Sequence, residues 1–231
     1  MRVLDVATSL AVSVARLGTG AAVGRLGPRP EKPLELYEFE ACPYCRKVRE
    51  ALTALDLEAM VYPCPKGGTR FRPRVRELGG MLQFPYLVDP NRGTAMYESE
   101  EIVADLFRTY GDGAVPLLAS LGPVNTLSSS LASLMRPLSG VSCVPARAPA
   151  RPLELWSFEA SPFCRLVREA LCSLELPYLL HNVGKGSPRR PAFVRRSGRM
   201  MVPYLADPNT GTEMFESADI ARYLYRTYAE G

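Results

Sequence analysis

Histidine is nearly missing from this chain: His181 is the single one in 231 residues. A zinc site built on histidines is thereby excluded, and any Ser-His or Cys-His relay would hang on one imidazole. No stretch reaches the roughly 18 consecutive apolar residues of a membrane-spanning helix. Neither sign of charge dominates: 28 Lys and Arg against 24 Asp and Glu leave a net charge of +4, well short of a dedicated nucleic-acid binder. Aromatic residues are seldom interleaved with the basic runs, which argues against single-stranded nucleic acid as a partner. At 47% hydrophobic and 23% charged residues, the composition excludes a wholly disordered, collagen-like or rod-shaped chain. Cysteine is sparse as well, with six residues. A chain of this length buries a core without disulfide staples, so a Cys-x-x-Cys beside a strand–helix pattern reads as a redox pair in a reducing compartment.

What the sequence does have is an internal repeat. LELYEFEACPYCRKVREALTAL, from Leu34, matches LELWSFEASPFCRLVREALCSL, from Leu153, at 15 of 22 positions. FPYLVDPNRGTAMYES, from Phe84, then matches VPYLADPNTGTEMFES, from Val202, and both copies close on a tyrosine-bearing helix. A duplicated unit implies two domains rather than one. In the first copy, Leu34–Phe39 alternates as a strand does, and Cys45–Leu55 carries Val48, Leu52 and Leu55 at helical spacing. Pro43 suits a first helical turn. Ala59–Pro63 reads as a second strand, Arg72–Leu78 as a weak helix, and Phe84–Asp89 with Thr94–Tyr97 as a hairpin around Pro90–Gly93. Ser99 can cap a last helix whose Ile102, Val103, Leu106 and Phe107 face inward. The order is βαβ, helix, hairpin, helix, repeated between Leu153 and Tyr228.

Residues 1–33 hold four arginines and one acid before Glu31, and are otherwise rich in Ala, Val, Ser and Gly. That composition fits an organelle transit peptide or a basic, apolar helix. The connector 114–152 contains SLASLMRPLSG, reminiscent of SLAVSVARLGTG from Ser9, so a short helix is expected before each unit and the connector is expected to be partly helical.

Cys42-Pro43-Tyr44-Cys45 is the sharpest motif. Its first cysteine falls where a helix begins, and there the dipole and free N–H groups stabilise a thiolate. Lys47, Arg46 and Arg49 add positive charge nearby. Cys42 is expected to be the exposed nucleophile and Cys45 the resolving thiol. In the second copy Ser161 replaces the nucleophile, so Ser161 and Cys164 cannot exchange disulfides, and Cys164 reads as a small buried residue. The basic stretches Lys66–Arg76 and Lys185–Arg199 read as solvated faces or as attractors of a carboxylate, an anionic lipid or an acidic partner. Cys64 and His181 read as structural.

Cys-Pro-Tyr-Cys at a strand–helix junction resembles a dithiol glutaredoxin, and the whole unit resembles the thioredoxin-like N-terminal domain of glutathione transferases. The full chain is similar to tandem glutathione S-transferase N-terminal/glutaredoxin-like proteins of plants and algae. The resemblance implies an α/β chain of two tandem thioredoxin-like domains (βαβ-α-ββα), residues 34–113 and 153–231. It implies cis bonds at Pro85 and Pro203, with Phe84 and Val202 pairing their backbones with the cysteinyl part of glutathione. Glu98-Ser99 would bind its γ-glutamyl end, with Tyr44 in the same site. Glu216-Ser217 would do so in a candidate second site, where the Ser161 hydroxyl would face the glutathione thiolate. Glutathione is the implied cosubstrate and no metal is expected. Chloroplast location is implied by the same resemblance.

Three functions follow as expectations. The first is a glutathione-dependent thiol–disulfide oxidoreductase, catalytic in unit 1 and degenerate in unit 2, acting on a protein disulfide. The second is a non-catalytic scaffold or subunit of a larger organelle complex, peripherally associated with a plastid membrane. The third is transferase-like chemistry through Ser161. In glutathione transferases a long helical domain follows the thioredoxin-like unit, whereas about 40 residues separate unit 1 from unit 2 here, so conjugation of hydrophobic electrophiles is not expected.

Overall fold

Period-two alternation in Leu34–Glu38 puts Leu34 and Leu36 on one face of a strand and Glu35 and Tyr37 on the other. A computed structural model, which describes residues 20–115 and 140–230, builds on that pattern. In unit 1, β1 (Leu34–Glu38) leads to α1 (Pro43–Ala54), β2 (Ala59–Pro63), α2 (Arg72–Gly79), β3 (Tyr86–Asp89), β4 (Thr94–Met96) and α3 (Ser99–Tyr110). Unit 2 repeats the series as β5 (Leu153–Ser157), α4 (Pro162–Ser173), β6 (Tyr178–Asn182), α5 (Arg190–Ser197), β7 (Tyr204–Asp207), β8 (Thr212–Phe215) and α6 (Ser217–Tyr228). The helices expected within 1–33 and 114–140 fall largely on residues outside the described ones. Among the described residues, no helix is long and apolar enough to cross a membrane.

The two units share one eight-stranded sheet, ordered β4-β3-β1-β2-β6-β5-β7-β8. Its middle is an antiparallel pairing of β2 with β6, Ala59 opposite Leu180 and Val61 opposite Tyr178. The β2 and β6 edges, which would lie bare in lone units, are thereby paired with each other, and β4 and β8 form the outer edges. On one face, Leu34, Leu36, Val48, Leu52, Ile102 and Leu106 of unit 1 join Leu153, Leu155, Val167, Leu171, Ile220 and Leu224 of unit 2 in a single apolar core. On the other face α2 covers Tyr37 and Tyr86 through Val75, and α5 covers Trp156 and Tyr204 through Phe193. The terminal tyrosines lock the last helices to the sheet: the Tyr110 hydroxyl donates to Asp89, and those of Tyr223 and Tyr228 donate to Asp207, each at 2.6 Å.

The seam is held by charges buried between α1 and α4. Arg49 pairs with Glu38 and Glu40 of its own unit and with Glu159 of unit 2. Arg168, its repeat equivalent, pairs with Glu159 of its own unit at 2.8 Å and with Glu40 of unit 1 at 3.0 Å. Both arginines are 2% exposed or less. Reciprocal clamps close the sides. Glu175, with φ +48°, accepts the Thr69 and Arg70 N–H groups of unit 1 at 3.1 and 3.2 Å. Asp56, with φ +51°, accepts from the Arg189 Nε of unit 2 at 3.1 Å. The straps before each unit also cross over. The Val23 N–H donates to the carbonyl of Lys185 in unit 2, and the Lys185 N–H donates back to the Ala21 carbonyl. The Cys143 N–H donates to the carbonyl of Lys66 in unit 1, and the Lys66 N–H donates to the Val141 carbonyl.

These contacts correct the reading of the basic stretches. Arg70 donates to Glu175, Leu174 and Ala146 carbonyls, Arg72 to those of Cys64 and Pro65, and Arg190 to that of Val183. Arg70, Arg72, Arg189 and Arg190 are thus engaged with backbone or carboxylates, while Lys66, Arg74, Arg76, Lys185, Arg195, Arg196 and Arg199 remain exposed. His181 also has partners: its Nδ1 lies 2.6 Å from Glu58 Oε1, and its ring stacks on Trp156.

Removing one partner from a buried ion cluster leaves the others uncompensated, at about 3–5 kcal/mol. Arg49→Met is expected to lower unfolding stability by that amount in urea titration. Arg74→Gln, which loses only the exposed pair with Glu77, is expected to change it by less than about 1 kcal/mol.

Candidate functional site

Cys42 is the N-cap of α1, with extended backbone (φ −68°, ψ 121°), and Pro43 starts the helix. A cap side chain accepts an otherwise orphaned N–H; here the acceptor is sulfur, Cys42 Sγ taking the Cys45 N–H at 3.2 Å. The helix thus begins two residues earlier than the apolar spacing predicts. Cys42 is not the exposed nucleophile expected from sequence: it is 3% exposed, and Cys45 is fully buried. The turn before it is pinned against α4, which closes that flank. Burial pushes the Cys42 thiol up, but hydrogen bonds from the Cys45 thiol, the Cys45 N–H and the Tyr44 N–H outweigh it and hold it below its ordinary value. Burial pushes Cys45 well above its ordinary value, and its hydrogen bond to Cys42 adds to that. The pair therefore has one acidic and one proton-retaining thiol. The nearby arginines are not the cause: Arg46 and Arg49 face Glu159 at the seam, and Lys47 pairs with Glu100.

A cavity of about 310 Å³ opens beside this helix start, lined by Tyr44, Gln83, Phe84, Pro85, Glu98 and Ser99. Five of these six residues are those singled out from the sequence. Gln83 was missed, although its place next to Phe84-Pro85 was the available signal; its amide donates to the Glu98 carboxylate. The Phe84–Pro85 bond is cis, and β3 starts only after it, at Tyr86. The Arg72 guanidinium lies 4.9 Å from the Phe84 ring centre, and Tyr44 is 47% exposed at the rim. Ser99 is not the cap of α3. Glu98 takes that position with φ +63°, and its side chain makes no capping bond. A non-glycine residue in the left-handed region costs on the order of 1–3 kcal/mol. The first-turn N–H groups of α3 thus lack a side-chain cap, an arrangement suited to a ligand carboxylate.

Unit 2 repeats the frame. Ser161 caps α4 with φ −69° and ψ 119°, and its Oγ accepts the Cys164 N–H at 3.2 Å. Val202–Pro203 is cis, Glu216 has φ +68° ahead of Ser217, and Cys164 is fully buried. Among the polar groups that differ, Ser161 stands for Cys42, and Ser157 for the buried acid Glu38. The remaining thiols lie elsewhere. Cys64 and Cys172 are buried and pushed up by burial, and Cys143 donates to Glu175 at 3.3 Å. Among the described residues, no group of three His, Cys, Asp or Glu side chains is placed to hold a metal ion.

Solved structures with some similarity include a Bombyx mori glutathione transferase, 25% identical with a TM-score of 0.32. That match covers 37% of this chain and 39% of the other, so the chain spans about two fifths of that protein. A trimeric glutathione transferase of Leishmania is 13% identical, covers 87% of this chain and 68% of its own, and has a TM-score of 0.32. No curated protein matches the chain. The family model for the glutathione S-transferase N-terminal domain matches twice, over residues 36–116 and 155–231. With both halves of the repeat matched, the chain belongs to the glutathione S-transferase N-terminal domain family, as a tandem of two such thioredoxin-like domains.

Proposed function

We propose that the chain is a glutathione-dependent thiol–disulfide oxidoreductase that works through Cys42 and Cys45, with unit 2 as support. The observation that carries this reading is that Tyr44, between the two cysteines at the helix start, lines one cavity with Phe84, Pro85, Glu98 and Ser99. Glutathione would lie in that cavity, its γ-glutamyl carboxylate at the start of α3. The Cys42 thiolate attacks a substrate disulfide; the S–S bond breaks, one sulfur leaves as thiolate and takes up a proton, and the other stays on Cys42. Cys45 then gives up its proton and attacks the Cys42 sulfur, releasing the second thiol and leaving a Cys42–Cys45 disulfide. Two glutathione molecules reduce that disulfide and depart as glutathione disulfide. Ordinary glutaredoxin potentials of about −200 to −230 mV allow this. The substrate is a protein or glutathione mixed disulfide. The location proposed is the plastid, supported by the resemblance to plant and algal tandem proteins and by the arginine-rich, acid-poor residues 1–33.

Glutathione-dependent reduction of a small mixed disulfide by the purified chain tests this directly. Cys42→Ser is expected to abolish turnover and Ser161→Ala to leave it intact. An unchanged rate in Cys42→Ser sinks the proposal. Conjugation of an electrophile that is lost only in Ser161→Ala would favour the transferase reading, and no turnover in the folded parent would favour a scaffold.

The thiol order is measurable separately. A depressed pKa moves thiolate formation to lower pH, so alkylation of Cys42 should rise with a midpoint below the ordinary 9.0. Cys45 should remain unlabelled until the chain unfolds. Labelling of Cys45 ahead of Cys42 would reverse the assignment of nucleophile and resolving thiol.

A further inference from the structure

We infer that unit 2 supplies positioning residues to the dithiol of unit 1: Arg168 and Cys172, both on α4, hold the turn that sets Cys42 at the start of α1. The inference rests on the oxidoreductase reading for its functional meaning, and on contacts between the units for its substance.

The turn is Phe39–Cys42, closed by the Cys42 N–H donating to the Phe39 carbonyl at 3.0 Å. Its second residue, Glu40, is gripped at both side chain and backbone. Arg168 donates from Nε to Glu40 Oε2 at 3.0 Å and from Nη2 to Oε1 at 3.1 Å. This forked pairing fixes orientation as well as distance. The Glu40 N–H donates to Cys172 Sγ at 3.4 Å, and the Cys172 thiol donates onward to the Gly140 carbonyl at 3.3 Å. Unit 1 adds Arg49, whose Nη2 donates to the Glu40 carbonyl at 3.1 Å. Two residues past Glu40, the Cys42 sulfur must sit 3.2 Å from the Cys45 nitrogen. A shift of the turn passes straight into that distance. The mirror clamp exists too: Glu159, two residues before Ser161, donates its N–H to Thr53 Oγ1 at 3.2 Å and pairs with Arg49. Unit 2 thus keeps the half of the clamp that serves Cys42 although its own cap is a serine.

The test is peptide-resolved alkylation of the full chain by iodoacetamide across pH, beside a urea unfolding curve. Arg168→Gln is expected to slow Cys42 labelling at neutral pH about tenfold and to raise its midpoint, with Cys64 and Cys164 still protected. Arg168→Lys, which keeps the charge without the fork, should recover part of the loss. Loss of the forked partner leaves buried Glu40 with Arg49 at 3.3 Å and Arg165 at 4.0 Å, and that loss can prevent folding. Glu40→Gln with Arg168→Gln removes both charges together, and Cys172→Ala removes the N–H acceptor along with the thiol donor to Gly140 but no charge; these two variants carry the test in that event. Folded variants that label Cys42 at the parent's rate and midpoint overturn the inference. So does a parallel gain of labelling at Cys64 and Cys164, which marks general loosening. Because alkylation needs no glutathione, a parent without disulfide turnover would overturn the oxidoreductase reading and leave this one to its own result.

Discussion

Two buried guanidinium groups set the terms for this molecule. Arg49 and Arg168 lie between α1 and α4 with almost no solvent contact. Their charges cannot be shed, so each needs carboxylates within reach. Each takes some of them from the opposite unit: Glu159 for Arg49, Glu40 for Arg168. The cross-unit pairs draw the two helices together, and β2 meets β6 on the same line. A separated unit would expose a sheet edge and lose the cross-unit ion pairs at once. The sheet, the joint apolar core and the cluster therefore form as one body, although the chain arose as a tandem.

That constraint also decides where the sites lie. Glu40 and Glu159 stand two residues before Cys42 and Ser161, so both helix starts border the seam. The flank of Cys42 nearest the seam is closed by α4, and this accounts for its burial. The open flank is the one bounded by Tyr44, the Phe84–Pro85 bond and Glu98. Burial alone would disfavour a thiolate there. The three donors of the α1 start, the Cys45 thiol and the Cys45 and Tyr44 N–H groups, reverse the balance. Hydrogen bonds at the helix start, that of the Cys45 thiol first, lower the thiol pKa here, and the neighbouring cationic side chains are paired elsewhere.

The repeat, the element order and most of the cavity lining were legible because they depend on local periodicity, turn chemistry and motif. The errors share a cause. Arg70 and Arg189 look as free in sequence as their exposed neighbours because their partners, Glu175 and Asp56, are more than a hundred residues away. Ser99 looks like a cap because serine caps helices, but the chain enters α3 through a left-handed Glu98 and moves the cap one residue back. One long-range signal was within reach. Asp56 and Glu175 sit just past the ends of α1 and α4, where a left-handed residue is ordinarily glycine. A carboxylate kept at a strained position in both copies points to a partner outside the unit.

The duplication separates what the fold requires from what it merely permits. Ser161 Oγ and Cys42 Sγ accept the same N–H, three residues on, at the same 3.2 Å. The backbone angles of the two caps agree within a few degrees. A hydroxyl therefore satisfies the cap as well as a thiol does, and architecture does not demand sulfur at position 42. The same holds one turn deeper, where Ser157 accepts from Arg168 at 3.2 Å in the place where Glu38 pairs with Arg49. The cap, the cis bond and the left-handed glutamate recur in both units as parts of the fold. The thiol pair with a buried acid behind it occurs only in unit 1. Folding does not account for that difference, and disulfide exchange needs what it supplies: a stabilised thiolate and a protonated neighbour.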